Sequence, residues 1–188
     1  MKDNKTINTF ILSVIGNSGS GKTTLIRNLI PELKKRGYKV GTIKHTHHHD
    51  FDIDKHGKDS WEHQNAGADS VAISSSNKFA FIKKINEEVQ VRKIIANCFA
   101  DVDIVLVEGF KRESFFKIEV FRKGVSAPDV KQFSNSSSLL MVISDIPYKL
   151  PIAVFDPKEV RAITDIVENK MEGFYRSQNI EYLSSMFN

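Results

Sequence analysis

Two kinds of hydrophobic pattern alternate along the chain. Short uninterrupted apolar runs, as in Phe10–Ile15 and Asp103–Val107, are typical of parallel strands that are covered on both faces. Between them lie stretches such as Thr24–Arg36, in which apolar residues recur at helical spacing. This alternation predicts an α/β fold with a mainly parallel, doubly wound sheet and helices on both of its faces.

The same patterns predict the remaining elements. Strands are expected at 38–44, 70–75, 78–83, 114–122, 139–144 and 152–155, and helices at 59–66, 87–99 and 158–176. Ser76 and Asn77 favour a turn, which makes 70–83 an inserted β-hairpin, and we expect Lys117–Arg122 to add to that antiparallel element. Because the chain has no repeats or proline-rich linkers, we expect one domain over residues 1–176 and a C-terminal tail over 177–188.

The composition of the chain limits the kinds of binding partner and the cellular compartment that we expect. The 188 residues carry a net charge of +4, and the basic residues are dispersed, so we expect no nucleic-acid surface. No apolar run approaches the length of about 18 residues that a membrane span needs, so no membrane association is expected. The single cysteine, Cys98, excludes an internal disulfide and suits a reducing cytoplasm.

The strongest motif is GNSGSGKTT, which matches the phosphate-binding loop G-x-x-x-x-G-K-[ST] and lies between a predicted strand and a predicted helix. Its glycines allow the backbone N–H groups to face a concavity at the positive end of the following helix. We expect Lys22 to reach the β- and γ-phosphates and Thr23 to ligate Mg²⁺. The nucleotide-binding residues of this loop are then Gly16, Asn17, Ser18, Gly19, Ser20, Gly21, Lys22, Thr23 and Thr24.

A second part of the site is expected at the end of the strand DIVLV. Glu108 ends this run one residue before a glycine, where its carboxylate would bind Mg²⁺ or orient water. Lys22 and Glu108 are therefore the candidate catalytic residues. Asp103 lies at the opposite end of the strand and is expected to be structural.

Three further charged residues have two open interpretations each. Lys111 and Arg112 could neutralise charge on a transferring phosphoryl group, or they could be solvated loop residues. Asp145 follows a late buried strand, where a carboxylate could read guanine, although an aspartate before Ile-Pro also favours a turn.

All six histidines lie within KHTHHHDFDIDKHGKDSWEH, residues 44–63. We favour a loop that responds to the nucleotide, with Asp50 and Asp52 as oxygen ligands for Mg²⁺ and His45 near phosphate or the attacking water. Lys55 and Lys58 could approach a second anion. A zinc or nickel site and a solvated polar loop remain open as alternatives.

The stretches GNSGSGKTT, IKHTHHHDFDIDKHGKDS, AGA, DIVLVEGFKRE followed by KIEVFR, and SD-x-P together resemble the MobB family of molybdopterin-guanine dinucleotide biosynthesis. The chain departs from the family pattern with three histidines, His47–His49, in place of two, and with His56 in place of a proline. The resemblance implies a homodimeric P-loop protein that binds GTP and Mg²⁺ and hydrolyses GTP slowly at most. It also implies partnership with the guanylyltransferase MobA, which attaches GMP to molybdopterin.

The expected function is therefore a cytoplasmic, GTP-binding adapter in molybdenum cofactor biosynthesis, with weak Mg²⁺-dependent GTPase activity. Two other functions use the same phosphate loop. One is a small-molecule kinase, which usually carries an arginine-rich lid that the sequence does not contain in a convincing form. The other is a metallochaperone GTPase, which would bind Zn²⁺ or Ni²⁺ stoichiometrically.

Overall fold

The computed structural model describes residues 8–46, 51, 53–126 and 138–186, with main chain only from 179 onward. The chain forms two compact units, the first comprising residues 1–45 and 94–188 and the second residues 46–93. The prediction of a single domain over 1–176 stays a prediction.

The first unit contains a six-stranded sheet with helices. Its strands are β1 (Phe10–Ile15), β2 (Val40–Lys44), β5 (Ile104–Glu108), β6 (Phe116–Phe121), β7 (Leu139–Ser144) and β8 (Val154–Phe155), and its helices are α1 (Lys22–Lys35) and α4 (Val160–Met186). The strand order is β2-β5-β1-β6-β7-β8, and every pairing is parallel. This arrangement confirms the predicted doubly wound α/β fold.

The second unit contains α2 (Asp59–Asn65) and the antiparallel pair β3 (Ser70–Ser74) and β4 (Phe79–Lys83). This pair confirms the predicted hairpin. Helix α3 (Val91–Cys98) begins in the second unit and ends in the first.

The main core of the first unit lies between one face of the sheet and helices α1 and α4. Alternate residues of β1 and β5, including Leu12 and Leu106, are fully buried there against Leu29 of α1 and Ile163 of α4. In both helices, apolar residues recur at helical spacing and so form one face, which packs into this core. Burial of this kind fixes the carboxyl ends of β1 and β5 next to each other, which positions the candidate site.

Strand β6 corrects one prediction. The KIEVFR segment does not add to the antiparallel hairpin but lies between β1 and β7 in the parallel sheet. Alternation of polar and apolar residues suggested a half-exposed strand, whereas Lys117 and Glu119 are both buried. Lys117 can be buried because its ammonium group donates to the carbonyl oxygens of Glu113 and Phe115.

The C-terminal helix is longer than predicted. Helix α4 passes the expected end at residue 176 and continues to Met186. Among the described residues, no helix is long and apolar enough to cross a membrane.

Candidate functional site

The phosphate loop joins β1 to α1 at the carboxyl end of the sheet. Gly16, Gly19 and Gly21 all have positive φ, a region that L-residues with side chains rarely adopt. Helix α1 begins at Lys22, two positions before the predicted start at Thr24, so Lys22 and Thr23 lie in its first turn. The unpaired N–H groups of that turn make the loop a favourable place for negative charge.

Space around Gly16 is too tight for any side chain. A Cβ atom at this position would overlap the carbonyl oxygen of Val120 in β6 and lie 2.8 Å from the Ser20 hydroxyl. Gly16 is thus required by close approach as well as by its φ of 142°. The Ser20 hydroxyl is buried and has no hydrogen-bond partner among the described residues. An anionic ligand in the loop could accept a hydrogen bond from this hydroxyl.

The Lys22 side chain folds back over the loop. Its ammonium group donates to the carbonyl oxygen of Asn17 at 2.9 Å. Asn17, Ser18, Gly19 and Thr24 are exposed. A lysine in this position can exchange one carbonyl bond for phosphate oxygens, so the loop is open to an incoming anion.

The structure brings Thr23 and Glu108 together across 85 residues of sequence. The Thr23 hydroxyl lies 2.9 and 3.1 Å from the two carboxylate oxygens of Glu108. Glu108 is the last residue of β5, as predicted, and its neighbour in register is Val14 of β1. A hydroxyl and a carboxylate beside a phosphate loop are oxygen ligands of the kind Mg²⁺ prefers.

The turn after β5 contains residues that sequence reasoning missed. Gly109 and Phe110 have φ values of 103° and 54°, and Phe110 is the only non-glycine residue with positive φ in the described chain. Such a conformation costs about 1–3 kcal/mol and persists only where neighbours enforce it. The buried Ser13 hydroxyl donates to the Gly109 carbonyl at 2.5 Å, and the rings of Phe110 and His45 lie 4.5 Å apart.

His45 is positioned by the end of β2. Its backbone N–H donates to the Glu108 carbonyl at 3.0 Å, so it lies one strand further from the phosphate loop than Glu108 does. A Cβ atom on Gly109 would lie 3.2 Å from Cβ of His45, which leaves little room for a side chain there. His45 therefore contacts the Glu108 turn, while its proposed contact with phosphate or water stays a prediction.

Lys111 and Arg112 are exposed in the loop that follows this turn. The charge of Lys111 acts on Glu119, a buried residue of β6 that pairs in register with Ile15. Burial raises the pKa of the Glu119 carboxyl, and the positive charge of Lys111 partly opposes that rise. Glu119 was missed because its strand was assigned to the hairpin.

Asp145 follows β7 and is exposed, and β6 separates its strand from β1. One of its carboxylate oxygens accepts a hydrogen bond from the backbone N–H of Lys123 at 2.8 Å, and within the described residues this is the one hydrogen bond of the carboxylate. Asp103 accepts a bond from the Lys39 N–H at 2.6 Å, in agreement with a structural role.

The remaining predicted metal ligands, Asp50 and Asp52, lie outside the described residues, as do His47–His49. Within the part of the chain that the structure describes, no group of three or more histidine, cysteine, aspartate or glutamate side chains is placed to hold a metal ion.

The fold and the loop together define an α/β protein with the P-loop NTPase fold. A family model described as "Molybdopterin guanine dinucleotide synthesis protein B" (MobB) matches residues 11–145. The chain therefore belongs to the MobB family.

Proteins of similar sequence support the assignment of this chain to the MobB family. A molybdopterin-guanine dinucleotide biosynthesis adapter protein of Escherichia coli is 38% identical over 158 residues, which cover 82% of this chain and 89% of that protein. The adapter protein of that name from Haemophilus influenzae is 33% identical over 168 residues, or 88% and 91% of the two chains.

Solved structures give the same result. A crystal structure of a molybdopterin-guanine biosynthesis protein B has a TM-score of 0.68 and 31% identity, covering 87% of this chain and 99% of that one. A MobB homologue from Bacillus stearothermophilus has a TM-score of 0.65 at 22% identity, covering 87% and 98%, and supports the fold alone.

Proposed function

We propose that this chain is an adapter protein of molybdopterin-guanine dinucleotide biosynthesis that binds GTP and Mg²⁺. Family membership supports the pathway, since relatives with up to 38% identity carry that name. The observation that supports the nucleotide site is the contact of Thr23 with Glu108 beside the Gly16–Gly21 loop.

The residues of the site fit this ligand. The N–H groups of the loop and the Lys22 ammonium would bind phosphate oxygens, and the buried Ser20 hydroxyl would gain a partner. Thr23 and Glu108 would hold Mg²⁺, which neutralises charge on the β- and γ-phosphates when it is bound. Asp50 and Asp52 are proposed as further ligands of the ion or its waters.

The proposed GTPase activity is slow. Glu108 is the only carboxylate that the structure brings to Thr23 among the described residues, and it would orient a water rather than form a bond to phosphorus. Lys111 and Arg112 are exposed in the loop after β5, and a contact of either with a transferring phosphoryl group stays a prediction. The primary role is therefore binding, with hydrolysis secondary.

Preference for GTP over ATP is proposed to come from Asp145. Its second carboxylate oxygen can accept hydrogen bonds from the N1–H and 2-amino groups of guanine, which adenine does not offer. Asp145→Asn should keep the hydrogen bond from the Lys123 N–H but lose the recognition of guanine by the carboxylate. We expect the GTP-to-ATP affinity ratio to fall about tenfold, because hydrogen bonds to a charged group contribute roughly 1.5–3 kcal/mol.

Competitive fluorescence titration of both nucleotides with Mg²⁺ measures that ratio. Asp156→Asn is the matched control, since Asp156 also accepts a backbone N–H, from Lys158 at 2.8 Å. A ratio unchanged in Asp145→Asn would remove Asp145 from the base site.

The proposed partners are the guanylyltransferase MobA and molybdopterin. The second unit has a cavity of about 830 Å³ whose lining includes Lys55, Lys58 and His63 as well as Asp54 and Asp59. Two lysines and a histidine beside one cavity can bind a phosphate, so we propose that the phosphate of molybdopterin binds there.

A homodimer is proposed on the basis of the hairpin in the second unit. Phe79 and Phe81 expose 67% and 56% of their surface and lie on the same face of a two-stranded sheet. A two-stranded sheet is only marginally stable alone, and a second copy would offer an identical apolar face. Analytical ultracentrifugation should give twice 21.3 kDa, and Phe79→Ser with Phe81→Ser should give the monomer.

Val125→Ser is the control for that experiment, because Val125 is 42% exposed but belongs to the first unit. A dimer that persists in the Phe79/Phe81 variant would exclude this face as its interface.

A further inference from the structure

The carboxylate of Glu108 reaches Thr23 from a backbone that changes direction immediately after it. Glu108 is the end of β5, and the next two residues, Gly109 and Phe110, both adopt left-handed conformations. Where β5 ends and how it turns therefore decide where the carboxylate lies. The residues that enforce this turn act on the site without touching a nucleotide.

Ser13 is the first of these residues. It is fully buried within the otherwise apolar strand β1, and its hydroxyl donates to the Gly109 carbonyl at 2.5 Å. The Gly109 N–H donates to the Val14 carbonyl at 3.0 Å, so β1 holds both backbone polar groups of Gly109. A buried serine in an apolar strand is conspicuous, and its single described bond goes to the turn.

Phe110 is the second. Its φ of 54° is unusual for a bulky residue, and its ring lies against His45 at 4.5 Å between centroids. The backbone N–H of Glu113 donates to the Phe110 carbonyl at 3.1 Å and closes the turn on its other side. The ring contact links the ends of β2 and β5.

We propose that Ser13 and Phe110 are positioning residues that hold the Glu108 carboxylate at Thr23 before Mg²⁺ arrives. Preorganised ligands bind a metal ion more tightly, because less conformational entropy is lost when the ion binds. The proposal rests on the proposed Mg²⁺-nucleotide site, and it assigns that site two residues that neither contact phosphate nor ligate metal.

Ser13→Ala and Phe110→Ala test the proposal. We expect each to weaken Mg²⁺ binding to the GTP-bound protein about threefold to tenfold, which is the range for loss of one hydrogen bond or local contact. The affinity for GTP in EDTA should stay unchanged, because the phosphate loop is intact. Titration of Mg²⁺ into the complex with a fluorescent GTP analogue measures the first quantity, and titration of the analogue measures the second.

A double-mutant cycle separates positioning from a general structural effect. If Ser13 acts through Glu108, Ser13→Ala should cause no further loss of Mg²⁺ affinity in a Glu108→Gln background. Thr9→Val is the matched control, since the buried Thr9 hydroxyl also donates to a backbone carbonyl, that of Phe99 at 3.0 Å, away from the turn. Additive losses, or an equal loss in Thr9→Val, would overturn the proposal.

Hydrogen–deuterium exchange gives a readout that needs no nucleotide. The amides of His45 and Gly109 are bonded at this turn and should exchange faster in Ser13→Ala and Phe110→Ala than in the wild type and Thr9→Val. Unchanged exchange would overturn the positioning role. A wild-type protein that binds no GTP would instead contradict the proposed function, so the two failures are distinguishable.

Discussion

Lys22→Ala will weaken GTP binding about a hundredfold or more while leaving the fold intact. The Lys22 ammonium is the one side-chain cation that the loop carries at the start of α1, and a charge-assisted bond to each of two phosphates contributes roughly 1.5–3 kcal/mol. In the ligand-free protein its described bond is to the Asn17 carbonyl at 2.9 Å, on the surface. Losing that bond should change the free energy of unfolding by less than about 1 kcal/mol.

Isothermal titration with GTP and Mg²⁺ measures the affinity, and thermal unfolding followed by circular dichroism measures the fold. Lys35→Ala is the matched control, because Lys35 is an exposed lysine in the last turn of the same helix. Wild-type GTP affinity in Lys22→Ala would remove the phosphate loop as the nucleotide site. A large loss of affinity in Lys35→Ala would show that the effect is not specific to the loop.

Glu108→Gln will slow GTP hydrolysis about a hundredfold and change GTP affinity, measured in EDTA, by less than about threefold. In the wild type the Thr23 hydroxyl lies 2.9 Å from one carboxylate oxygen of Glu108. The glutamine amide is isosteric and keeps an oxygen that can accept this hydrogen bond. The lost negative charge matters for orienting water and neutralising Mg²⁺, and positioned proton acceptors typically contribute 10²- to 10⁴-fold. Binding of the phosphates depends mainly on the loop and on Lys22.

Single-turnover hydrolysis with saturating protein measures this rate separately from binding. Asp103→Asn is a suitable control, since Asp103 lies just before the opposite end of β5 and accepts a backbone bond from Lys39. Equal losses of rate and of affinity in Glu108→Gln would contradict the assigned role.

Local patterns were sufficient for most of the fold. Buried parallel strands such as β1 and β5 leave uninterrupted apolar runs, and helix α1 leaves a helical stripe, so both could be read from sequence. The order of strands could not, because pairing depends on the whole sheet. This is why the β6 segment was assigned to the hairpin: its alternating pattern does not reveal that Lys117 and Glu119 are buried.

Some residues of the candidate site could likewise be predicted from the sequence, and others could not. The Gly16–Thr24 loop and Glu108 could be found because a phosphate cradle and a strand-end acid have defined local signatures. The roles of Ser13 and Phe110 could not, since the Ser13 bond spans 96 residues and no sequence pattern specifies a left-handed phenylalanine. Contacts between distant strand ends arise only once the sheet is assembled.

We propose that this chain binds GTP and, as an adapter, acts on a guanylyltransferase. The most direct test is equilibrium binding of GTP to the wild-type chain with Mg²⁺, in the presence and absence of the MobA-type enzyme, with ATP in parallel. GTP should bind at least about tenfold more tightly than ATP, and the guanylyltransferase should change the GTP affinity, as linkage between two sites on an adapter requires. Equal affinities for the two nucleotides, together with a GTP affinity that does not respond to the enzyme, would contradict it.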